Sequence, residues 1–220
     1  AHKITQPILE LSRRVKAASK GNEVLCSPLG SNDELEELAQ AFDERTFQLQ
    51  YQTKHDALTD LPNRVLFLDR LQQALKANQR HQQKLVVLFL DLDRFKEIND
   101  SFGHETGDEL LRKVSERITA TLRDRDSVAR LSSDEFTLLL EQVPDDDAVI
   151  RVLHKVMQLF REPFILEQHK LFITCSIGVA ISPENGNSAE LLLKNAHSAM
   201  YKAKSAGRNT YQFYTQDMTD

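Results

Sequence analysis

The sequence predicts an α/β domain whose sheet contains an antiparallel hairpin, preceded by a pair of helices. Three observations carry this. The run Leu85-Val86-Val87-Leu88-Phe89-Leu90 reads as a buried central strand. Two apolar segments, Val128 to Leu131 and Phe136 to Leu140, flank Ser132-Ser133-Asp134-Glu135 and read as a hairpin. Around them, segments of helical spacing alternate with short strands.

Before residue 55, Ile4, Ile8, Leu11 and Val15 recur at helical spacing. Pro7 falls in the opening turn, where its missing N–H does little harm. Gly21, Pro28 and Gly30 mark an extended connector. A second helix is expected after Asn32 or Asp33, with acids in its first turn and Leu35, Leu38 and Phe42 facing inward. It continues through Leu49 towards Thr53, although Arg45 and Gln52 weaken any coiled-coil reading.

After residue 55, helices are expected over Arg64–Ala77, Thr106–Leu122, Ala148–Phe160 and Ser188–Ser205. Strands are expected over Leu85–Leu92, Ser127–Leu131, Phe136–Glu141, Leu171–Ile181 and Thr210–Phe213. No internal repeat or low-complexity tract is visible.

Of the 220 residues, 28% are charged and 40% apolar, a globular balance. The net charge of -5 argues against a nucleic-acid polymer as partner, yet leaves room for a nucleotide site with a few local cations. The longest aliphatic or aromatic run, Leu85 to Leu90, is far too short to span a bilayer. Ala1 to Glu10 lacks the apolar core of a signal peptide. Cys26 and Cys175 have no metal-type spacing, so free thiols in a reducing cytoplasm are the simpler reading.

The chemistry concentrates in acids. Strand alternation puts Asp91 and Asp93 on one face, where two like charges call for a counter-charge. A divalent cation with oxygen ligands is one answer, and simple capping of the strand end is another. An EF-hand is excluded, because position six from Asp91 is Lys96 and position twelve is Phe102. Downstream, Arg94 to Asp100, then Phe102-Gly103-His104 and Gly107-Asp108, read as a loop capping a helix. Within it, Asn99 and Asp108 offer the acceptors and donors needed to read a purine edge. Lys204 and Arg208 lie at helical spacing near a helix end, suited to phosphate or simply to a solvated cationic terminus.

Five ordered blocks together resemble the GGDEF domain, the diguanylate cyclase family. They are Asp56 to Arg64, Asp91 to Asp108, Arg130 to Phe136, Ser176-Ile177-Gly178-Val179, and Ala203-Lys204-Ser205-Ala206-Gly207-Arg208-Asn209. The resemblance implies a nucleotidyl-cyclase-like fold with a mostly antiparallel central sheet flanked by helices. It implies condensation of two GTP to cyclic di-GMP with release of pyrophosphate, each domain holding one GTP. Asp91, the Leu92 carbonyl and Asp134 would hold magnesium or manganese, and Glu135 would bind metal or activate the attacking hydroxyl. Lys96, Lys204 and Arg208 would hold phosphates, and Asn99 and Asp108 the guanine. Arg123 and Asp126 match the family's RxxD product-binding motif, although the run Arg123-Asp124-Arg125-Asp126 also reads as a solvated charge cluster.

The opening helices resemble the HAMP signalling module, on Ile4-Thr5-Gln6-Pro7-Ile8 with Leu11 and on Asp33-Glu34-Leu35 with Leu38 and Phe42. An ordinary helical hairpin is the alternative. The HAMP resemblance implies a homodimer through a parallel four-helix bundle. It also implies an upstream membrane helix, so that the chain is the cytoplasmic portion of an inner-membrane protein. Tyr211 to Thr215 with Met218 resembles the exit into an EAL phosphodiesterase domain. The expected organisation is therefore a HAMP module and connecting helix over 1–54, a GGDEF domain over 55–216 and the start of a linker over 217–220.

Ser132 and Ser133 stand where the family turn uses two glycines, and serine at positive φ would strain that turn. Three readings follow: an active cyclase, a degenerate domain that binds GTP or cyclic di-GMP to control a neighbour, and a passive spacer. The retained acids and cations disfavour the spacer, and the serines disfavour full activity.

Overall fold

The computed structural model describes residues 2–20, 24–78 and 83–218, so Gly21 in the expected connector and the last two residues of the expected linker lie outside it. The chain divides into two compact units, 1–53 and 54–220.

The first unit holds α1 (His2–Ala18) and most of α2 (Glu34–Lys54). Asp33 starts α2 as expected, its carboxylate accepting from Leu35 N–H at 3.1 Å. Between the helices the chain is extended and pinned by side chains. Asp43 accepts from the N–H groups of Cys26 and Ser27, Glu36 from those of Leu29 and Gly30, and Arg14 donates to the carbonyls of Cys26 and Pro28. Leu11, Cys26 and Ala39 form a small buried cluster with Val15, Leu29, Leu35 and Phe42 against it. Leu38, expected to face inward, is instead 57% exposed, and Ile8 of the α1 stripe is 46% exposed. Two helices and a connector have no further layer with which to cover them.

The second unit is built on one sheet of order β2-β3-β1-β6-β7, antiparallel except for the parallel pair β6/β7. Its strands are β1 (Lys84–Leu92), β2 (Ser127–Ser132), β3 (Glu135–Val143), β6 (Cys175–Ser182) and β7 (Tyr211–Phe213), with a separate short pair β4 (Phe164–Ile165) and β5 (Lys170–Leu171). The helices are α3 (Arg64–Asn78), α4 (Phe95–Phe102), α5 (His104–Thr119), α6 (Asp146–Leu159) and α7 (Ala189–Ser205), and a 3₁₀ turn covers Gln216–Met218.

Alternation along β1 sorts the core into two layers. Val86, Leu88, Leu90 and Leu92 join the buried cluster that contains Leu110, Leu111 and Val114 of α5 and Val149 and Leu153 of α6. Leu85, Val87 and Phe89 join the opposite cluster, with Phe67 and Leu71 of α3 and Leu192, Ala196 and Met200 of α7. Gly178 brings α7 close to the sheet: a Cβ there would meet Ala196 O at 1.9 Å and Met200 N at 2.2 Å.

Three expectations are corrected. The stretch after Arg94 is helix α4, and it had read as a loop because its eight residues expose almost one whole face. The long strand expected over Leu171–Ile181 is broken at 172–174, where Thr174 leaves the ladder to bond with Asp93. The hairpin serines do not use positive φ; the non-glycine residues that do are Asn32, Asp60, Arg94, Gln142, Arg208 and Asn209. The expected backbone strain at Ser132 and Ser133 is therefore absent.

Candidate active site

The site lies at the end of β1. Asp91 pairs with Glu135 on one side and Ser176 on the other, and the N–H of Leu92 donates to the carbonyl of Asp134 at 3.1 Å. Strand pairing thus brings Asp91, Leu92, Asp134 and Glu135 together, although Asp91 and Asp134 are far apart in sequence. Asp91 falls on the α7 face by alternation, and Lys204 of α7 reaches it, with Nζ 2.7 Å from Asp91 Oδ1. The two form a close, largely buried ion pair. Burial pushes the Asp91 carboxyl up to about 6, against the pull of Lys204 and with help from Asp134 and Glu135. Burial also raises the Asp134 carboxyl.

Glu135 is held on two sides. Ser132 Oγ donates to its Oε2 at 2.5 Å, and His197 Nε2 lies 3.8 Å from its Oε1. Burial holds the His197 imidazole below its ordinary range, so the contact is not an ion pair at neutral pH. Arg130 braces the turn from behind: Nε and Nη2 donate to Ser133 O, and Nη1 donates to both carboxylate oxygens of Asp56. This brace, across more than seventy residues, had no local signal in the sequence beyond the two motifs that contain its ends.

The other candidate residues fall on the surrounding elements. Lys96 is exposed in the first turn of α4. Asn99 packs from α4 against Gly107 of α5, where any Cβ would meet Asn99 Oδ1 at 1.9 Å, and Asp108 is the next residue. Gly107 thus leaves the space that the Asn99 side chain occupies between α4 and α5. The Asn99 Oδ1 atom is buried without a protein partner, an acceptor available to a ligand donor. Arg208 lines a cavity of about 460 Å³ with Asp93, Arg94 and Thr174. Arg123 and Asp126 lie apart, in the turn before β2. Asp126 accepts from the N–H groups of Arg123 and Glu141 and lines a second cavity with Arg70 of α3.

Among the described residues no cluster of three or more His, Cys, Asp or Glu side chains is built to hold an ion. The carboxylates of Asp91 and Asp134 with the Leu92 carbonyl make a smaller, all-oxygen set. Burial raises both carboxyls and Asp134 adds to the shift on Asp91, a concentration of acid that a hard cation would neutralise. The donors fit magnesium.

Residues 53–210 match the family model described as diguanylate cyclase, GGDEF domain. The chain belongs to this family. MucR of Pseudomonas aeruginosa, named a bifunctional diguanylate cyclase/cyclic di-GMP phosphodiesterase, is 44% identical over 164 residues, which are 74% of this chain and 24% of MucR. The diguanylate cyclase TpbB of the same organism is 39% identical over 179 residues, 81% of this chain and 41% of TpbB. The crystal structure of the TpbB GGDEF domain superposes with a TM-score of 0.73 at 38% identity, covering 75% of this chain and 96% of that one. The GGDEF domain of DgcB from Caulobacter crescentus, solved in complex with cyclic di-GMP, gives a TM-score of 0.67 at 27% identity, covering 73% and 93%. The GGDEF chain is thus homologous to diguanylate cyclases and other cyclic di-GMP signalling proteins, and spans about a quarter of MucR's length.

Proposed function

We propose that this GGDEF domain binds GTP with magnesium at the end of β1 and turns it over to cyclic di-GMP slowly or not at all. The observation that supports this best is the convergence of Asp91, Asp134 and Glu135 on adjacent strands, with Lys204 2.7 Å from Asp91. Phosphoryl transfer depends on positioning and charge neutralisation, and this arrangement supplies both. Asp91, the Leu92 carbonyl and Asp134 hold magnesium, which when bound polarises the phosphates. Lys96, Lys204 and Arg208 hold the phosphates, and Asn99 and Asp108 read the guanine edge. Glu135 takes part in metal binding or accepts the proton of the attacking 3′-hydroxyl.

The Ser132 hydroxyl supports a weak or lost activity. It occupies one oxygen of Glu135 and so competes with metal or hydroxyl at the same carboxylate. The second reading, a non-catalytic GTP- or cyclic di-GMP-binding domain that regulates an attached EAL phosphodiesterase or an effector, draws on the separate Arg123–Asp126 turn. Relatives such as MucR also carry both names in one protein. The first unit acts in either case as a HAMP module, pairing two copies through its exposed Ile8 and Leu38 below an inner membrane. Calorimetry with GTP and with cyclic di-GMP, each with and without magnesium, followed by product analysis decides among these readings. Magnesium-dependent binding with trace product supports the first, binding of cyclic di-GMP alone the second, and no nucleotide binding refutes both.

A further inference from the structure

We infer that Asp93 is a positioning residue that sets the turn carrying Arg208, and through it the grip on the terminal phosphates of the nucleotide. The inference rests on the reading of Arg208 as a phosphate ligand given above.

The turn after α7 has an unusual backbone. Gly207, Arg208 and Asn209 take φ values of 113°, 65° and 49° in succession. Glycine tolerates this freely and asparagine comparatively well, but arginine there costs about 1 kcal/mol or more. The bonds closing the end of α7 hold only the first part: Gly207 N–H donates to Lys204 O and Arg208 N–H to Ala203 O. Asn209 N–H is held from across the site. It donates to Asp93 Oδ2 at 3.0 Å.

Asp93 is itself fixed. It is 6% exposed, its Oδ1 accepts from Ser176 Oγ at 2.6 Å, and its Oδ2 also accepts from Thr174 Oγ1 at 2.6 Å. Its own N–H donates to Thr174 O at 2.9 Å. The three hydrogen bonds to this carboxylate come from two hydroxyls and one backbone N–H, and bonds to a carboxylate are the strong kind. One side chain therefore ties the end of β1 and the start of β6 to the turn that presents Arg208. The same carboxylate lines the cavity of about 460 Å³ that Arg208 lines. Just beyond Asp93 the chain turns through another left-handed residue, Arg94 at φ 59°, to begin α4. Asp93 thus joins the two backbone turns that border the phosphate end of the site.

A residue that only stabilised the core would weaken all ligands alike. A residue that places Arg208 weakens those whose terminal phosphates Arg208 grips. Asp93→Asn, Arg208→Ala and the double variant are titrated with GTP and with GMP in magnesium. Exchange of the Asn209 amide is followed by NMR. Asp93→Asn is expected to lower GTP affinity about tenfold, the loss of one charge-assisted hydrogen bond, and to leave GMP affinity within about twofold. It should add nothing in the Arg208→Ala background. The Asn209 amide should exchange faster while the amides of β1 and β6 stay protected. Equal losses for GTP and GMP, additive losses in the double variant, or unchanged exchange at Asn209 overturn the inference. If Asp93→Asn does not fold, Thr174→Val, which removes the hydroxyl sharing Oδ2, decides instead. The ratio of GTP to GMP affinity should then fall by about threefold, and an unchanged ratio overturns the inference. A parent protein that binds neither nucleotide refutes the proposed function, and amide exchange still decides the role of Asp93.

Discussion

The Ser132 hydroxyl donates to Glu135 Oε2, and neither Ser132 nor Ser133 adopts the left-handed backbone that would make serine costly there. On the proposed function, the departure from glycine would act through this side-chain oxygen, which would make the two serines unequal. Ser132→Ala should raise cyclic di-GMP production as much as Ser132→Gly, and Ser133→Ala should change it little. Product quantified by chromatography under saturating GTP checks this. A gain that requires glycine at both positions would return the explanation to the backbone.

Asp91 sets function against stability. Its folded carboxyl is raised from 3.8 to about 6, so the folded chain binds the extra proton and loses stability as pH rises between these values. The penalty is fully present above pH 6 in metal-free protein. Asp91→Asn should therefore raise the melting temperature at pH 8, by the equivalent of about 3 kcal/mol at most, and have little effect at pH 4. It should weaken magnesium-dependent GTP binding at the same time, because a hard cation loses a charged oxygen. Parallel melting and calorimetry would expose a variant that fails either test.

The first unit offers a separation between folding and assembly. Leu11 is buried and Leu38 is 57% exposed. Leu38→Asp should weaken a homodimer in sedimentation while leaving helicity intact, whereas Leu11→Asp should unfold the unit, since it buries an unpaired charge. A parent that sediments as a monomer at high micromolar concentration would contradict the proposed pairing.

The turn of Arg123 and Asp126 divides similarly. Arg123 is exposed, whereas Asp126 accepts two backbone N–H groups. Arg123→Ala should abolish cyclic di-GMP binding with no change in melting temperature. Asp126→Ala should lose both binding and about 1–2 kcal/mol of stability, because its backbone donors lose their partner. Equal product affinity in the parent and Arg123→Ala would place the product elsewhere.

Much of this was legible because it is periodic. The strand Leu85 to Leu92 and the helix ending at Ser205 follow from apolar spacing, and alternation alone put Asp91 on one face of the sheet. Helix α4 was harder, since only Phe95 is buried among its eight residues. The Asp56–Arg130 brace, the Asp93–Asn209 bond and the Ser132–Glu135 contact follow from tertiary approach rather than local pattern. Asp93 was visible as an acid at a strand end, but its partners Thr174, Ser176 and Asn209 come from two other elements. The φ values of the hairpin serines could not be read at all, because a turn's backbone depends on the register around it, here shifted between Arg130 and Ser132.

Gly178 leaves no space between β6 and α7, and α7 carries both His197 and Lys204. At this point β6 and α7 meet backbone to backbone, with no Gly178 side chain between them to act as a cushion or a hinge. A signal arriving from outside the domain has little to bend inside it. If two copies must meet for the reaction, control has to be a matter of travel: whole domains carried together or held apart, each already shaped for its half of the work.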